Sequence, residues 1–107
     1  MARPLQQQII ALALDLISDE ARWTSLVIAR KADGKTCEWI HPLATRFCAV
    51  GALDRAAYEL FGTGGAETAL RAEKFVLAAN DRPNDSLPRI NDREGHAVII
   101  AMFKRAR

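Results

Sequence analysis

The chain lacks any apolar run long enough to cross a membrane as a helix. Its longest apolar stretches, around residues 9–14 and 98–103, hold no more than seven residues each, whereas a spanning helix needs about 20. Arg3 followed by an apolar stretch superficially resembles a secretory signal. However, glutamines at 6–8 precede that stretch and Asp15 interrupts it, which leaves too short an apolar region. We therefore expect no membrane association and a cytoplasmic location.

Excess charge is also scarce, because 15 basic and 13 acidic residues leave a net charge of only +2. The largest basic clusters, residues 30–31 and 104–107, are shorter than a nucleic-acid-binding arm. So small an excess attracts phosphate weakly, and an aromatic share of 7% offers few rings for base stacking. We therefore expect no nucleic-acid partner, and weak binding through the basic carboxyl end remains a second alternative.

Cysteine is limited to Cys37 and Cys48, which we expect to be free thiols in a reducing compartment. With His41 they form a C-x3-H-x6-C spacing that has neither a CxxC pair nor the fourth ligand of a structural zinc site. The glycine cluster at 62–65 lacks the following Lys-Ser/Thr of a phosphate-binding loop. The sequence therefore predicts no metal and no cofactor.

Apolar residues, in contrast, make up half of the 107 positions, enough for one domain spanning residues 1–107 with its own core. Helical periodicity dominates their spacing. We predict a mainly α fold, a compact bundle of about four helices with one short β-hairpin. The expected helices are 5–19 with Pro4 as first helical residue, 43–61, 66–79, and a last helix from Asn91 to about 106.

Several local patterns support this assignment. An Asp33-Gly34 turn predicts a hairpin of residues 26–30 and 36–40, and prolines predict an irregular loop over 80–89. Asn91 and Glu94 have the spacing of a capping box for the last helix. The Asn-Asp pairs at 80–81, 84–85 and 91–92 are typical of turns and caps. One face of the second helix carries only small residues and predicts close approach of another backbone: Ala44, Cys48, Gly51, Ala52 and Ala56.

Cys48 is the strongest candidate for chemistry. A cysteine at the start of a helix gains thiolate character, and His41 or His96 could act as its base, oriented by Asp92, Asn91 or Asp54. These residues match no local cysteine-hydrolase signature. We therefore interpret Cys48 as a small thiol that fills a tight contact between helices.

The order of four features resembles a bacterial and phage family, domain of unknown function 6197. The features are Trp23, the Asp33-Gly34 turn, the segment RFCAVGALDRAA at 46–57, and Ile90-Asn91-Asp92 near the last helix. The matched positions are Trp23, Phe47, Cys48, Gly51, Ala52, Leu53, Asn91 and Asp92. The resemblance implies the order of elements and brings no assigned activity.

The sequence thus contains no complete catalytic or cofactor-binding constellation. We expect a non-enzymatic interaction or regulatory module, of phage or mobile-element origin by its resemblance. Its partner would be a protein, either a different protein or a second copy of this chain in a homodimer. The alternative is a small cysteine-dependent hydrolase or transferase that uses Cys48.

Overall fold

The computed structural model describes residues 4–107, so Arg3 lies outside the described part. Within that range five α-helices surround one core and three short strands form a small sheet, which confirms the mainly α prediction. None of these helices is long and apolar enough to cross a membrane. The elements are α1 Leu5–Ile17, β1 Ala29–Lys31, β2 Thr36–Cys37, β3 Ala44–Phe47, α2 Ala49–Phe61, α3 Ala66–Ala79, α4 Leu87–Glu94 and α5 His96–Ala106, with 3-10 turns at Glu20–Arg22 and Gly62–Gly65.

The first helix supplies one wall of the core and packs on α2, α3 and α5. Its buried stripe consists of Ile9, Ile10, Ala13, Leu14 and Ile17. Pro4 is not the first helical residue, because its ψ of 150° is extended. The helix ends at Ile17 and not at Asp19, since the Asp19 carboxylate caps the following 3-10 turn by accepting from the Ala21 amide at 2.9 Å.

The predicted hairpin is present but shorter than expected. Strands β1 and β2 pair antiparallel, with Ala29 opposite Cys37 and Arg30 opposite Thr36. Gly34 closes the turn at a φ of 86°, a conformation that glycine adopts without steric cost. Residues 26–28 are not part of the strand and are free to pack elsewhere.

The prediction that the second helix begins at Leu43 is wrong. Residues 44–47 form β3, which pairs antiparallel with β1 and places Ala29 opposite Phe47. Ala44 and Phe47 are both buried, and their spacing of three residues also fits a helix. Pairing with β1 decides between the two structures. Helix α2 therefore starts at Ala49, with Cys48 as its N-cap.

The prediction of one last helix opened by Asn91 is also wrong. The irregular loop after α3 ends earlier than expected, and Ser86 caps α4 with its hydroxyl accepting from the Arg89 amide at 3.4 Å. Asn91 lies inside α4, and Gly95, at a φ of 89°, separates α4 from α5. The Glu94 carboxylate accepts from the Arg82 guanidinium at 3.0 Å, so it is not a capping-box partner.

Helix α2 is approached closely at Gly51, as its small face predicts, but the neighbour is not a helix. A Cβ atom at this position would overlap the backbone carbonyl oxygen of Ile28. That oxygen accepts a hydrogen bond from the Cys48 amide at 3.1 Å. Gly51 therefore allows the segment before β1 to lie directly on the amino end of α2.

Gly51→Ala tests this close approach. In a helix without a neighbour the change would stabilise by about 1 kcal/mol, but the Ile28 carbonyl must move, so we expect a loss of about 2 kcal/mol or more. Denaturant unfolding measures the difference. Gly64→Ala is the control, because a Cβ there meets nothing within 4 Å. A stability equal to or above wild type for Gly51→Ala would contradict the packing.

Candidate functional site

Several of the residues that carry the family resemblance meet at one place, around the side chain of Asn91. This asparagine is fully buried and projects from α4 toward the amino end of α2 and the segment after the first 3-10 turn. A buried amide has to satisfy both its donors and its acceptor, because an unpaired polar group in a protein interior costs free energy. Its four hydrogen bonds therefore define the geometry of the site.

The Oδ1 atom of Asn91 accepts two hydrogen bonds. One comes from the indole Nε1 of Trp23 at 2.8 Å, and the other from the backbone amide of Ala49 at 2.9 Å. The first amide groups of a helix have no partner within the helix. Asn91 therefore acts as a second cap of α2, supplied from a distant part of the chain.

The Nδ2 atom of Asn91 donates the other two hydrogen bonds. It reaches the Thr24 carbonyl at 3.1 Å and the Asp92 carboxylate at 3.1 Å. The same Asp92 oxygen accepts from the Leu26 amide at 2.8 Å. The Asn-Asp pair thus holds the backbone of residues 24–26 through two hydrogen bonds, at Thr24 and at Leu26, and a third hydrogen bond joins the two side chains of the pair.

The segment held in this way contains an unusual leucine. Leu26 has a φ of 71°, and its side chain is 79% exposed. A residue other than glycine at a positive φ is strained by about 1–2 kcal/mol. Because the leucine side chain is exposed, its burial does not compensate for this strain. The hydrogen bond to Asp92 stabilises a conformation that places an apolar side chain in solvent.

Cys48 lies beside this segment at the N-cap of α2. Its Sγ accepts from the Gly51 amide at 3.3 Å, and the residue is only 8% exposed. Burial raises the pKa of the thiol, and this effect outweighs the opposing hydrogen bonds from the Gly51 and Val50 amides. The helix does begin at the cysteine, as the catalytic hypothesis required, yet loss of solvent keeps the neutral thiol.

The predicted tight seam of helices around Cys48 is not present, because Ala44 belongs to β3 and shares no helical face with Cys48. The thiol instead lines a cavity of about 210 Å³ between residues 26–28 and α4. We call it the Leu26 cavity. Its lining residues are Leu26, Val27, Ile28, Cys48, Val50, Pro88, Asn91 and Asp92. The walls are mainly apolar, and the only ionisable carboxylate among them is that of Asp92.

The structure does not bring either candidate base to Cys48. The His96 Nε2 lies 2.7 Å from the Ile17 carbonyl, and its ring packs against Trp23 at 5.6 Å between centroids. The His41 Nδ1 accepts from the Leu43 amide at 3.0 Å. Within residues 4–107, neither imidazole forms a hydrogen bond with the thiol.

Of the proposed orienting groups, Asn91 and Asp92 line the Leu26 cavity with Cys48, whereas Asp54 does not. Asp54 lines a different cavity. No group of three or more His, Cys, Asp and Glu side chains in the described part of the chain is placed to hold a metal ion. Of the Asn-Asp pairs, Asn80 caps α3, with its Nδ2 donating to the Val76 carbonyl at 2.8 Å, whereas 91–92 is helical.

A family of unknown function (DUF6197) matches residues 1–107 of the chain. The chain belongs to this family, which confirms the resemblance seen in its sequence. Neither curated proteins nor solved structures provided a match. In this chain Trp23, Asn91 and Asp92 form one hydrogen-bonded cluster that meets the cap of α2.

Sequence reasoning named Cys48, Asn91 and Asp92 as candidates but missed the other residues that line the Leu26 cavity. The β-branched centre of residues 26–28 predicts a strand, and Pro88 lies in the predicted loop. The available signal was the Ser-Leu-Pro sequence at 86–88, which matches a helix start with a serine cap and an early proline. A helix starting there would have placed Asn91 in its interior.

Asn91→Ala tests the cluster. Its loss removes the acceptor of the Trp23 indole and of the buried Ala49 amide, and we expect the free energy of unfolding to fall by about 3 kcal/mol or more. Chemical denaturation measures the change. Asn84→Ala is the matched control, since Asn84 is exposed and should change stability by less than about 0.5 kcal/mol. Equal effects of the two substitutions would contradict the central role of Asn91.

Native alkylation tests the state of Cys48. Because burial keeps the thiol neutral, we expect iodoacetamide at pH 7.5 to modify Cys48 at least about tenfold more slowly than the half-buried Cys37. Mass spectrometry of timed samples separates the two sites, and both should react at similar rates in urea. Faster modification of native Cys48 would favour the hydrolase alternative, with His96 as the first base to test.

Proposed function

We propose that this domain is a non-enzymatic interaction module that binds a protein partner at the Leu26 cavity. The observation that carries the proposal is the exposed, strained Leu26 beside an apolar cavity. Strain at a non-glycine residue persists only where surrounding contacts hold it, and such residues concentrate at functional sites. The Asp92 carboxylate accepts a hydrogen bond from the Leu26 amide at 2.8 Å, and Leu26 itself is largely exposed.

The cavity has the size and character for an anchoring side chain of a partner. At about 210 Å³ it has room for one large apolar side chain, and Leu26 at its rim could insert into the partner in return. Interfaces gain most of their affinity from a few such buried anchors. The cluster around Asn91 supports the walls by hydrogen bonds, so little ordering is required on binding.

The two alternatives have less support from the same geometry. A cysteine hydrolase needs a thiolate and a base, whereas burial raises the pKa of the Cys48 thiol and both histidines are engaged elsewhere. A nucleic-acid site needs basic side chains facing the phosphates. The Leu26 cavity is lined by no lysine or arginine and carries the Asp92 carboxylate.

Leu26→Gly tests the proposal without disturbing the fold. Glycine accepts a positive φ, so we expect stability to be unchanged or higher by up to about 1 kcal/mol. Tagged wild-type and variant domains are compared in quantitative capture from extract of the native host. The partner retained by wild type should fall at least about tenfold with Leu26→Gly.

Leu43→Gly is the control, because Leu43 is a leucine with 64% exposure that does not line the Leu26 cavity. It should retain the partner at the wild-type level. Equal retention by all three proteins would contradict binding at this cavity. Nuclease-sensitive retention would favour the nucleic-acid alternative.

A further inference from the structure

A second cavity lies on another side of α2, between the β2–β3 connection and the start of α3. It measures about 220 Å³ and is lined by Trp39, Ile40, Asp54, Tyr58, Gly62, Thr63 and Ala66. The rings of Trp39 and Tyr58 meet edge to face, 5.9 Å apart at 68°. Asp54 and Tyr58 are four residues apart on α2 and therefore project from the same helical face.

The aromatic wall is held in place by Arg55. Its guanidinium NH1 donates to the Trp39 carbonyl at 3.1 Å and to the His41 carbonyl at 2.8 Å, while Nε pairs with Glu59 at 3.1 Å. These contacts fix the loop that carries Trp39. Because the Arg55 guanidinium makes these contacts, it forms no ion pair with the neighbouring Asp54.

Asp54 is the feature that calls for a ligand. Its half-buried carboxylate accepts no hydrogen bond and forms no ion pair within residues 4–107. Loss of solvation, followed by the like charge of Glu73, raises the pKa of Asp54 to about 6. The nearby Lys74 acts on Glu73. The ionised carboxylate is therefore unfavourable in the protein without a ligand, and a cation that enters the cavity would stabilise it.

We propose that the Trp39–Asp54 cavity binds the long basic side chain, lysine or arginine, of a protein partner. The apolar walls would cover the methylene stem, the aromatic rings would contact the cationic head, and the Asp54 carboxylate would neutralise it. The inference rests on the proposed interaction function and adds the chemistry of a second contact. It concerns a site separate from the Leu26 cavity, with a different set of lining residues.

The test uses small probes in place of a partner, so that it examines this cavity alone. The ¹⁵N-labelled full chain at pH 8 and constant ionic strength is titrated with n-butylammonium, and separately with n-propylguanidinium, while amide and indole NMR signals are followed. We expect saturable shifts at Trp39, Tyr58 and Thr63 with at least one probe. The neutral analogue 1-pentanol should bind at least fivefold more weakly.

Two variants assign the binding to the proposed groups. Asp54→Asn should weaken binding of the cation at least fivefold and leave that of 1-pentanol unchanged, whereas Asp15→Asn, at an exposed acid on α1, should alter neither. Tyr58→Leu keeps the carboxylate and should weaken the cation through loss of the ring. No saturable shift in the wild type, or equal affinity of the Asp54→Asn variant, would overturn the proposal.

The Asp54→Asn variant is expected to fold. The pKa of Asp54 is about 6 in the folded protein and 3.8 ordinarily. The free energy of unfolding therefore falls as pH rises between these two values, because the folded state holds the proton more tightly. Above pH 6 the uncharged amide should therefore give a midpoint of thermal unfolding equal to or above wild type, with a smaller difference at pH 4. Failure of probe binding while Leu26→Gly still loses the partner would reject this cavity and leave the proposed function intact.

Discussion

The buried amide of Asn91 is the interaction on which the arrangement of the domain depends. It joins three parts of the chain that are distant in sequence: the segment around Trp23 and Thr24, the start of α2, and α4. An amide that donates twice and accepts twice can be satisfied only in one orientation, so the cluster selects one relative position of these parts. Apolar packing alone would tolerate small sliding movements. A buried polar group without its partners does not, because its desolvation then remains uncompensated.

A second constraint follows from the close approach of Ile28 to α2. Its carbonyl accepts from the Cys48 amide and lies where a side chain at Gly51 would have to be. The segment is therefore held from both ends, by Asp92 at Leu26 and by Cys48 at Ile28. Between these two contacts the chain cannot relax toward the core, and Leu26 remains in solvent. The sulfur at the N-cap and the missing Cβ three residues later thus act together to support the backbone of this segment, which accounts structurally for a cysteine and a glycine at this spacing.

Sequence periodicity sufficed for the elements whose structure is decided locally. The apolar stripe of α1 and the run from Ala66 to Ala79 fold as their spacing predicts, since each can bury one face whatever its neighbours do. It failed for residues 44–47, where the spacing of Ala44 and Phe47 fits a helix or a strand and pairing with β1 decides. It also failed for Asn91, whose spacing to Glu94 imitates a cap. The partners of that amide lie 42 and 68 residues away, and no local pattern encodes them. Both cavities likewise depend on contacts between distant segments.

The places where the domain departs from its own most stable arrangement are few, and two of them adjoin apolar cavities. Leu26 adopts a strained backbone to expose a side chain, although glycine or asparagine would remove the strain. Asp54 keeps a carboxylate where solvent is scarce and Glu73 repels it, although asparagine would remove the charge. Within residues 4–107, no contact of their side chains compensates for the backbone strain at Leu26 or for the unfavourable charge of Asp54. We propose that contacts with another molecule offset these two local costs. One site then favours an apolar side chain and the other a cationic one, which together favour a protein segment that carries both.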